Sequence, residues 1–262
     1  MGEAFAVENG LVELVPDPDE PDAWTLVLNG MPQSHVNLAD PVLIAFDYVR
    51  RTVEIIDLLM PGGIPLRVLH LGGGAMSLPR VLSLLRPGSE QTVVEVDALL
   101  SDIVQTRLPL HPDAGVDIVI ADALDFLRDG PAEAYDVIIA DIFTGAAVPQ
   151  HVTTPTFVRL AHEALAPGGL YVANVIDGRP LFFVQGLAAS VRAQFRDTAV
   201  VAETEVLRGV TRSNLLLVGA DRDVRVLTTA LPGPDPYDLR VLHGAALTEF
   251  LTSAQAAGGT SR

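Results

Sequence analysis

The sequence predicts an α/β protein with a mainly parallel sheet and a small β domain in front of it. Three observations support this prediction. Strand-like and helix-like runs alternate from residue 67 onward, three glycines follow the first of these strands, and residues 1–39 contain hairpin signals. Alternating strands and helices imply right-handed crossovers and a parallel sheet. The chain of 262 residues, 49% hydrophobic, is long enough to form one sizeable core. We therefore predict a β domain over residues 1–39 and an α/β domain over residues 40–262.

The N-terminal segment contains short apolar runs that are broken by turn residues. Asn9-Gly10 and Asn29-Gly30 are typical hairpin turns, and the stretch PDPDEPD over 16–22 predicts an acidic, proline-rich loop. The following segment, 40–63, has helical apolar spacing with Asp40 at the N-cap and Pro41 in the first turn. We expect one helix to begin there.

The rest of the chain alternates regularly. Helices are predicted over 76–86, 98–107, 122–128, 154–165 and 180–195, and strands over 67–71, 92–96, 116–120, 135–140, 169–175, 198–205 and 213–219. Because a short connection joins the last two strands, the sequence predicts that the last strand is antiparallel.

Composition excludes several classes of function. The net charge is −16, and all 17 basic residues are arginine, so a nucleic-acid partner is not expected. No apolar run reaches the length of about 20 residues that a membrane span needs, and the acidic start of the chain does not resemble a signal peptide. The chain has no cysteine, and His151 and His162 have no acid at metal-ligand spacing. We expect a cytoplasmic protein without a metal or membrane partner.

Three glycines, Gly72, Gly73 and Gly74, join the first strand of the α/β domain to a helix. Glycine permits a sharp turn and lets a ligand approach the backbone, and the next helix N-terminus offers free N–H groups. An ordinary tight β–α connection would have the same appearance. A dinucleotide fingerprint would need a glycine at Ser77, and a P-loop would need a lysine.

Acidic residues follow the next three strands. Glu95 ends the second strand, where a carboxylate can accept hydrogen bonds from ribose hydroxyls. Asp122, followed by Ala123, comes after the third strand and can cap the next helix, accept from an adenine amino group, or do both. Asp141 follows the fourth strand. Since ligands bind at the carboxyl edge of such sheets, these residues predict a Rossmann-like nucleoside site. The absence of lysine and the scarcity of arginine near the glycines favour an adenosyl sulfonium over a pyrophosphate.

Several motifs resemble those of the spermidine synthases in order and spacing, over roughly residues 24–220. They are LNGMPQ, VLHLGGGAMSL, VVEVDALL, IADALDFL, YDVIIADIF and LAPGGLYVANV. The resemblance implies a class I methyltransferase fold, aminopropyl transfer from decarboxylated S-adenosylmethionine to a small amine, and a homodimer built partly through the β domain. It also implies site roles for individual residues: Gln33 and the glycines contact the nucleoside, Glu95 holds the ribose, Asp122 with Ala123 holds the adenine, and Asp141 is catalytic.

Departures from the family pattern concentrate on the polyamine side. Ala75 replaces the acid that follows the glycines, and Thr144 or Gly145 stands where the family has a second acid after Asp141. The segment SHVNLADPVLIAF has no aligned tyrosine, and the hairpin before the last strand lacks its aromatic residue. We therefore expect an amine acceptor other than putrescine. Two alternatives stay open: a methyltransferase that uses intact S-adenosylmethionine, and a non-catalytic relative that binds a nucleoside.

Overall fold

The computed structural model describes residues 2–145, 147–232 and 238–258, and contains two sheets. The first is antiparallel with strand order β1-β2-β3-β4. Both hairpin turns lie where the Asn-Gly pairs predict them. The side chain of Asn29 joins the two turns, because its Oδ1 accepts from the Leu11 N–H and its Nδ2 donates to the Asn9 carbonyl, each at 2.9 Å. The strands are β1 Glu3–Val7, β2 Gly10–Pro16, β3 Ala23–Leu28 and β4 Met31–Asn37.

The second sheet has eight strands in the order β12-β10-β11-β9-β8-β5-β6-β7. Strands β5 to β9 are parallel, whereas β11 runs antiparallel to β9 and β10, and β12 runs antiparallel to β10. The predicted fold class is confirmed, although β12 was not predicted. The strands are β5 Arg67–Leu71, β6 Glu90–Glu95, β7 Val116–Ile120, β8 Tyr135–Ala140, β9 Leu165–Asp177, β10 Asp197–Glu203, β11 Ser213–Ala220 and β12 Leu239–His243.

The strand order reverses between β5 and β8. From β5 the chain adds β6 and β7 on one side, and then returns to add β8 and β9 on the other. The crevice at the carboxyl ends of β5 and β8 is therefore the position where open α/β sheets bind ligands. The glycine turn follows β5, and Asp141 follows β8.

Helices cover both faces of the large sheet. They are α1 Asp47–Leu59, α2 Ser77–Leu85, α3 Ala98–Arg107, α4 Ala123–Asp129, α5 Pro155–Ala164, α6 Phe182–Gln194, α7 Thr204–Leu207, α8 Leu227–Ala230 and α9 Gly244–Gly258, with a 3₁₀ turn over Gln150–Thr153. The long C-terminal helix α9 was not predicted. Within the described residues, no helix is long and apolar enough to cross a membrane.

The prediction that α1 begins at Asp40 is wrong, because the helix begins at Asp47. The Asp40 side chain accepts from the Val42 N–H at 3.3 Å, and the Asp40 carbonyl accepts from the Leu43 N–H at 3.0 Å. These bonds form a local turn, which competes with helical hydrogen bonding. The change matters for the site, because it places Tyr48 in the first turn of α1.

Apolar clusters on the two faces of the large sheet form most of the core, and a third cluster joins the two sheets. In the third cluster, Val12 and Leu26 of the small sheet share a core with Met76, Leu100 and Val104. The small sheet therefore packs on the segment between β5 and the end of α3. The division of the chain into domains after residue 39 stays a prediction.

His70, inside β5, is buried and is held by a hydrogen bond of 2.9 Å between its Nε2 and Gln91 Oε1. Burial lowers the pKa of His70 to about 4, although the hydrogen bond to Gln91 Oε1 acts to raise it. His70 is therefore neutral in the folded protein at pH values where an exposed histidine takes up a proton.

We expect His70 to make the free energy of unfolding decrease as the pH is lowered. The unfolded chain binds a proton near pH 6.5 that the folded chain binds only near pH 4, so stability decreases as pH falls between these values. The wild type should lose about 3 kcal/mol more than His70→Gln over this range. Urea unfolding of both proteins from pH 7 to pH 4 measures the difference. Equal pH slopes for the two proteins would contradict it.

Candidate active site

A cleft of about 480 Å³ lies at the carboxyl ends of β5, β6, β7 and β8, and the small sheet forms one of its walls. All the residues predicted for the site border this cleft: Gln33, Gly72, Gly73, Gly74, Glu95, Asp122, Ala123 and Asp141. Ala75 does not. It is fully buried in the third cluster, behind the glycine turn, and its N–H donates to Ser34 Oγ at 3.2 Å.

The glycine turn packs so tightly that side chains are excluded. Gly72 has φ +98°, and a Cβ built there would lie 2.1 Å from the carbonyl oxygen of Asp141. Gly74 has φ +49°, and its Cβ would lie 2.5 Å from Ser34 Oγ. Both positions therefore require glycine for conformation and for space.

Glu95 is anchored at the end of β6 by two backbone donors. Its Oε2 accepts from the Gly73 N–H at 2.9 Å, and its Oε1 accepts from the Asp97 N–H at 3.0 Å. Each carboxylate oxygen has a second lone pair, so Glu95 can still accept hydrogen bonds from a ligand. The contact also holds β6 against the glycine turn.

Asp122 caps α4, as one of its predicted roles requires. Its Oδ1 accepts from the N–H groups of Leu124 at 2.8 Å and Asp125 at 3.2 Å, while its Oδ2 lies 2.8 Å from His151 Nε2. Burial acts to raise the pKa of Asp122, but the bonds from Asp125, His151 and Leu124 together lower it. His151 has no acid at metal-ligand spacing in the sequence, and Asp122 becomes its partner only in the folded chain. The two residues are 29 positions apart, and the 3₁₀ turn brings them together.

Asp141 lies deep in the cleft and is held by two side-chain donors. Asn174 of β9 donates from its Nδ2 to Asp141 Oδ1 at 2.8 Å, and the Tyr48 hydroxyl donates to the same carboxylate. Burial raises the pKa of Asp141, and the bonds from Asn174 and Tyr48 oppose this rise. The carboxylate is thus oriented but not neutralised.

Tyr48 brings a tyrosine to this end of the cleft, although the segment SHVNLADPVLIAF has none. It lies just after the segment that was compared with the family, in the first turn of α1, and borders the cleft with Phe46 and Asn214. Burial and the nearby charge of Asp141 raise its pKa well above 10, so the hydroxyl stays protonated and donates. Asn174 was not predicted as a site residue either. Tyr48 stands outside every motif that carries the family resemblance, whereas Asn174 stands inside the motif LAPGGLYVANV, which marks the segment but not the residue.

Gln33 connects the small sheet to the loop after β8. Its Nε2 lies 3.4 Å from the carbonyl oxygens of both Gly145 and Met31. Gln33 therefore lies at the edge of the cleft, next to the segment that follows Asp141. A ligand in the cleft would be covered from this side.

The described walls of the cleft are acidic. They include Glu95, Asp97, Asp122 and Asp141 but no arginine. Asp97 is buried as the cap of α3, so it is the other three that face the ligand space. The described residues contain no group of three or more side chains that could hold a metal ion. This charge distribution suits a cationic ligand.

A family model and a curated relative indicate the same family. Residues 59–206 match the model of the spermine/spermidine synthase domain. A polyamine aminopropyltransferase of Vibrio vulnificus is 30% identical over 141 residues, which are 53% of this chain and 46% of that protein. The chain thus aligns with about half the length of the curated relatives that it matches.

Solved structures extend the similarity to nearly the whole chain. A probable spermidine synthase from Corynebacterium glutamicum is 30% identical, with a TM-score of 0.88 over 97% of this chain and 95% of that one. Human methyltransferase-like protein 13, solved in complex with SAH, is 22% identical, with a TM-score of 0.57 over 83% of this chain and 95% of that one. The second likeness shows the fold alone, and it agrees with the predicted methyltransferase-like architecture.

A methyl group at Gly72 tests the packing of the turn. Gly72→Ala should lower the free energy of unfolding by about 3 kcal/mol or more, since the Cβ meets backbone at a strained φ. Gly186→Ala is the matched control. This glycine is exposed within α6 with nothing within 4 Å of its Cβ position, and the change should stabilise by about 0.5–1 kcal/mol. Urea unfolding measures both. Equal effects of the two substitutions would show that the turn is not constrained.

Proposed function

The chain belongs to the spermine/spermidine synthase family, and we propose that it transfers an aminopropyl group from decarboxylated S-adenosylmethionine to an amine acceptor. The observation that carries this proposal is Asp141. It is a partly buried carboxylate, oriented by Tyr48 and Asn174, and it faces a cleft whose described walls contain no arginine. Such a group suits a substrate that is cationic and must lose a proton.

The nucleoside end of the cleft supports an adenosyl donor. In the proposal, Glu95 accepts from the ribose hydroxyls and Asp122, beside Ala123, accepts from the adenine amino group. Gly72, Gly73 and Gly74 leave room for the donor next to the backbone, and Gln33 covers it from the small sheet. Hydrogen bonds to Gly73, Leu124 and Asp125 hold both acids in place before a ligand arrives.

The proposed step is a displacement at carbon. A nitrogen–carbon bond forms as the carbon–sulfur bond of the sulfonium breaks, methylthioadenosine leaves, and one proton leaves the nitrogen. An amine with a pKa near 10 must lose a proton before it attacks. The raised pKa of Asp141 favours this carboxylate as the acceptor of that proton. Because the reaction disperses charge, alignment and exclusion of water supply most of the acceleration.

The acceptor in this proposal is an amine other than putrescine. After Asp141 the chain continues with Ile142, Phe143 and Thr144, all of which border the cleft, so no second acid follows at close spacing. We further propose a cytoplasmic homodimer without a metal. The outer face of the small sheet, which exposes Leu11 and Val15, supports the dimer.

Methyl transfer from intact S-adenosylmethionine is the second candidate, and Ala75 favours it. Ala75 is buried and does not border the cleft, so the described cleft lining has no acid directly after the glycine turn that would repel the carboxylate of the intact donor. The same cleft would present a methyl group to Asp141 if the donor were rotated about its sulfur.

Calorimetry with three nucleosides distinguishes these candidates. We expect methylthioadenosine and decarboxylated S-adenosylmethionine to bind at least tenfold (about 1.4 kcal/mol) more tightly than intact S-adenosylmethionine. The reverse preference would favour methyl transfer. Absence of binding by all three would rule out both activities and leave a non-catalytic relative.

Two substitutions test the proposed catalytic group. Asp141→Asn should abolish turnover and leave methylthioadenosine affinity within about threefold, because Asp141 acts on the acceptor. Tyr48→Phe should raise the pKa of Asp141 and move the acidic limb of the pH–rate profile upward by about one unit. Tyr135→Phe, at the opposite end of β8, is the control and should leave the profile unchanged. Persistent turnover in Asp141→Asn would show that the assignment is wrong.

A further inference from the structure

We infer that the acceptor is a monoamine with an uncharged apolar body, so that one nitrogen lies at Asp141 and the rest of the molecule lies against apolar side chains. The inference rests on the proposed transfer and names its substrate class. In the reaction, the monoamine nitrogen becomes bonded to the donor carbon, the carbon–sulfur bond breaks with release of methylthioadenosine, and the proton from the nitrogen passes to Asp141.

Binding of the nitrogen is supported by an unused acceptor atom. Asn174 is buried, with 4% of its surface exposed, and borders the cleft. Its Nδ2 donates to Asp141, but its buried Oδ1 has no hydrogen-bond partner. A buried oxygen without a donor is costly, and a ligand N–H would satisfy it. Asp141 and Asn174 Oδ1 together can accept from one amine nitrogen.

The walls beyond this nitrogen site are apolar. Phe46, Ile142, Phe143 and Ile176 border the cleft around Asp141, and all are partly exposed to it. An alkyl or arylalkyl body would bury apolar surface against them. A second ammonium there would lose its hydration without an acidic partner among the described lining residues, since Glu95 and Asp122 belong to the nucleoside end.

A neighbouring cavity of about 240 Å³ contains acidic side chains that could be considered as partners for a second ammonium group, but it also contains an arginine. It adjoins the cleft at Phe46, Tyr48 and Asn214, and its walls include Asp47 and Glu203. Asp47 lies 2.6 Å from Arg50, and the side chain of Arg51 also lines this cavity. Charges of both signs are therefore present, and we assign the second cavity no amine.

Binding of two matched amines to the protein saturated with methylthioadenosine tests the inference without requiring turnover. Pentylamine and 1,4-diaminobutane differ only in that a methyl group replaces the second amino group. Calorimetry should show pentylamine binding about tenfold more tightly. Equal affinities, a preference for the diamine, or no binding of pentylamine would overturn the inference.

Three variants locate the effect. Phe143→Ser should weaken pentylamine binding at least fivefold while methylthioadenosine affinity is unchanged. Phe182→Ser, at an exposed position on α6, is the control and should change neither. Glu203→Gln should leave both amine affinities unchanged, and a loss of diamine affinity in this variant would place a second ammonium in the neighbouring cavity and overturn the inference.

A transfer assay with decarboxylated S-adenosylmethionine separates this inference from the proposed function. Aminopropyl transfer to the diamine in preference to pentylamine would overturn the inference, while the proposed transferase function would stand. Tight pentylamine binding without transfer from this donor would contradict the proposed transferase and the assignment of the monoamine as its acceptor, and would leave only the amine-binding site at Asp141 and Asn174.

Discussion

The contact between Gly72 and the backbone of Asp141 is the constraint on which the site depends. The Asp141 N–H donates to the Leu71 carbonyl at 2.8 Å, so the pairing of β5 and β8 continues to the last residue before the glycine turn. There the chain must turn away at positive φ, with no space for a Cβ. Backbone packing therefore sets the distance between the turn and the acid. The bonds from Gly73 to Glu95 and from Ala75 to Ser34 then attach β6 and the small sheet to the same turn.

Burial of the charged Asp141 carboxylate lowers the stability of the folded protein, and this cost is connected to the proposed activity. Burial raises its pKa, and Tyr48 and Asn174 supply hydrogen bonds but no positive charge. A carboxylate that is oriented but not neutralised gains most from a cationic or proton-bearing ligand. The described cleft walls contain no arginine that could supply this charge, and this supports the proposed amine substrate. An amine or a sulfonium beside Asp141 would offset the cost of burying this carboxylate.

The proposed nucleoside end is built differently, because its acids already accept hydrogen bonds from the protein. Asp122 caps α4 and contacts His151, and Glu95 accepts two backbone N–H groups. These bonds restrict side-chain rotation, so little conformational entropy is lost on binding. Gln33 adds a contact between the small sheet and the loop after β8. The two ends of the cleft therefore differ. Glu95 and Asp122 are held by several hydrogen bonds at one end, and Asp141 is oriented at the other end without a positive charge beside it.

Local patterns in the sequence were sufficient to predict the α/β class, most strands and helices, and eight site residues that all border the cleft. These features follow from local rules: apolar periodicity, the conformations that glycine permits, and the convergence of parallel strand ends at one edge. Only the tertiary structure decided that α1 begins at Asp47, that β12 extends the sheet, and that Ala75 is buried behind the turn. It also paired Asp141 with Tyr48 and Asn174, and Asp122 with His151. Residues in these pairs lie far apart along the chain, and their geometry depends on how helices and loops pack over the sheet. No local pattern records that packing.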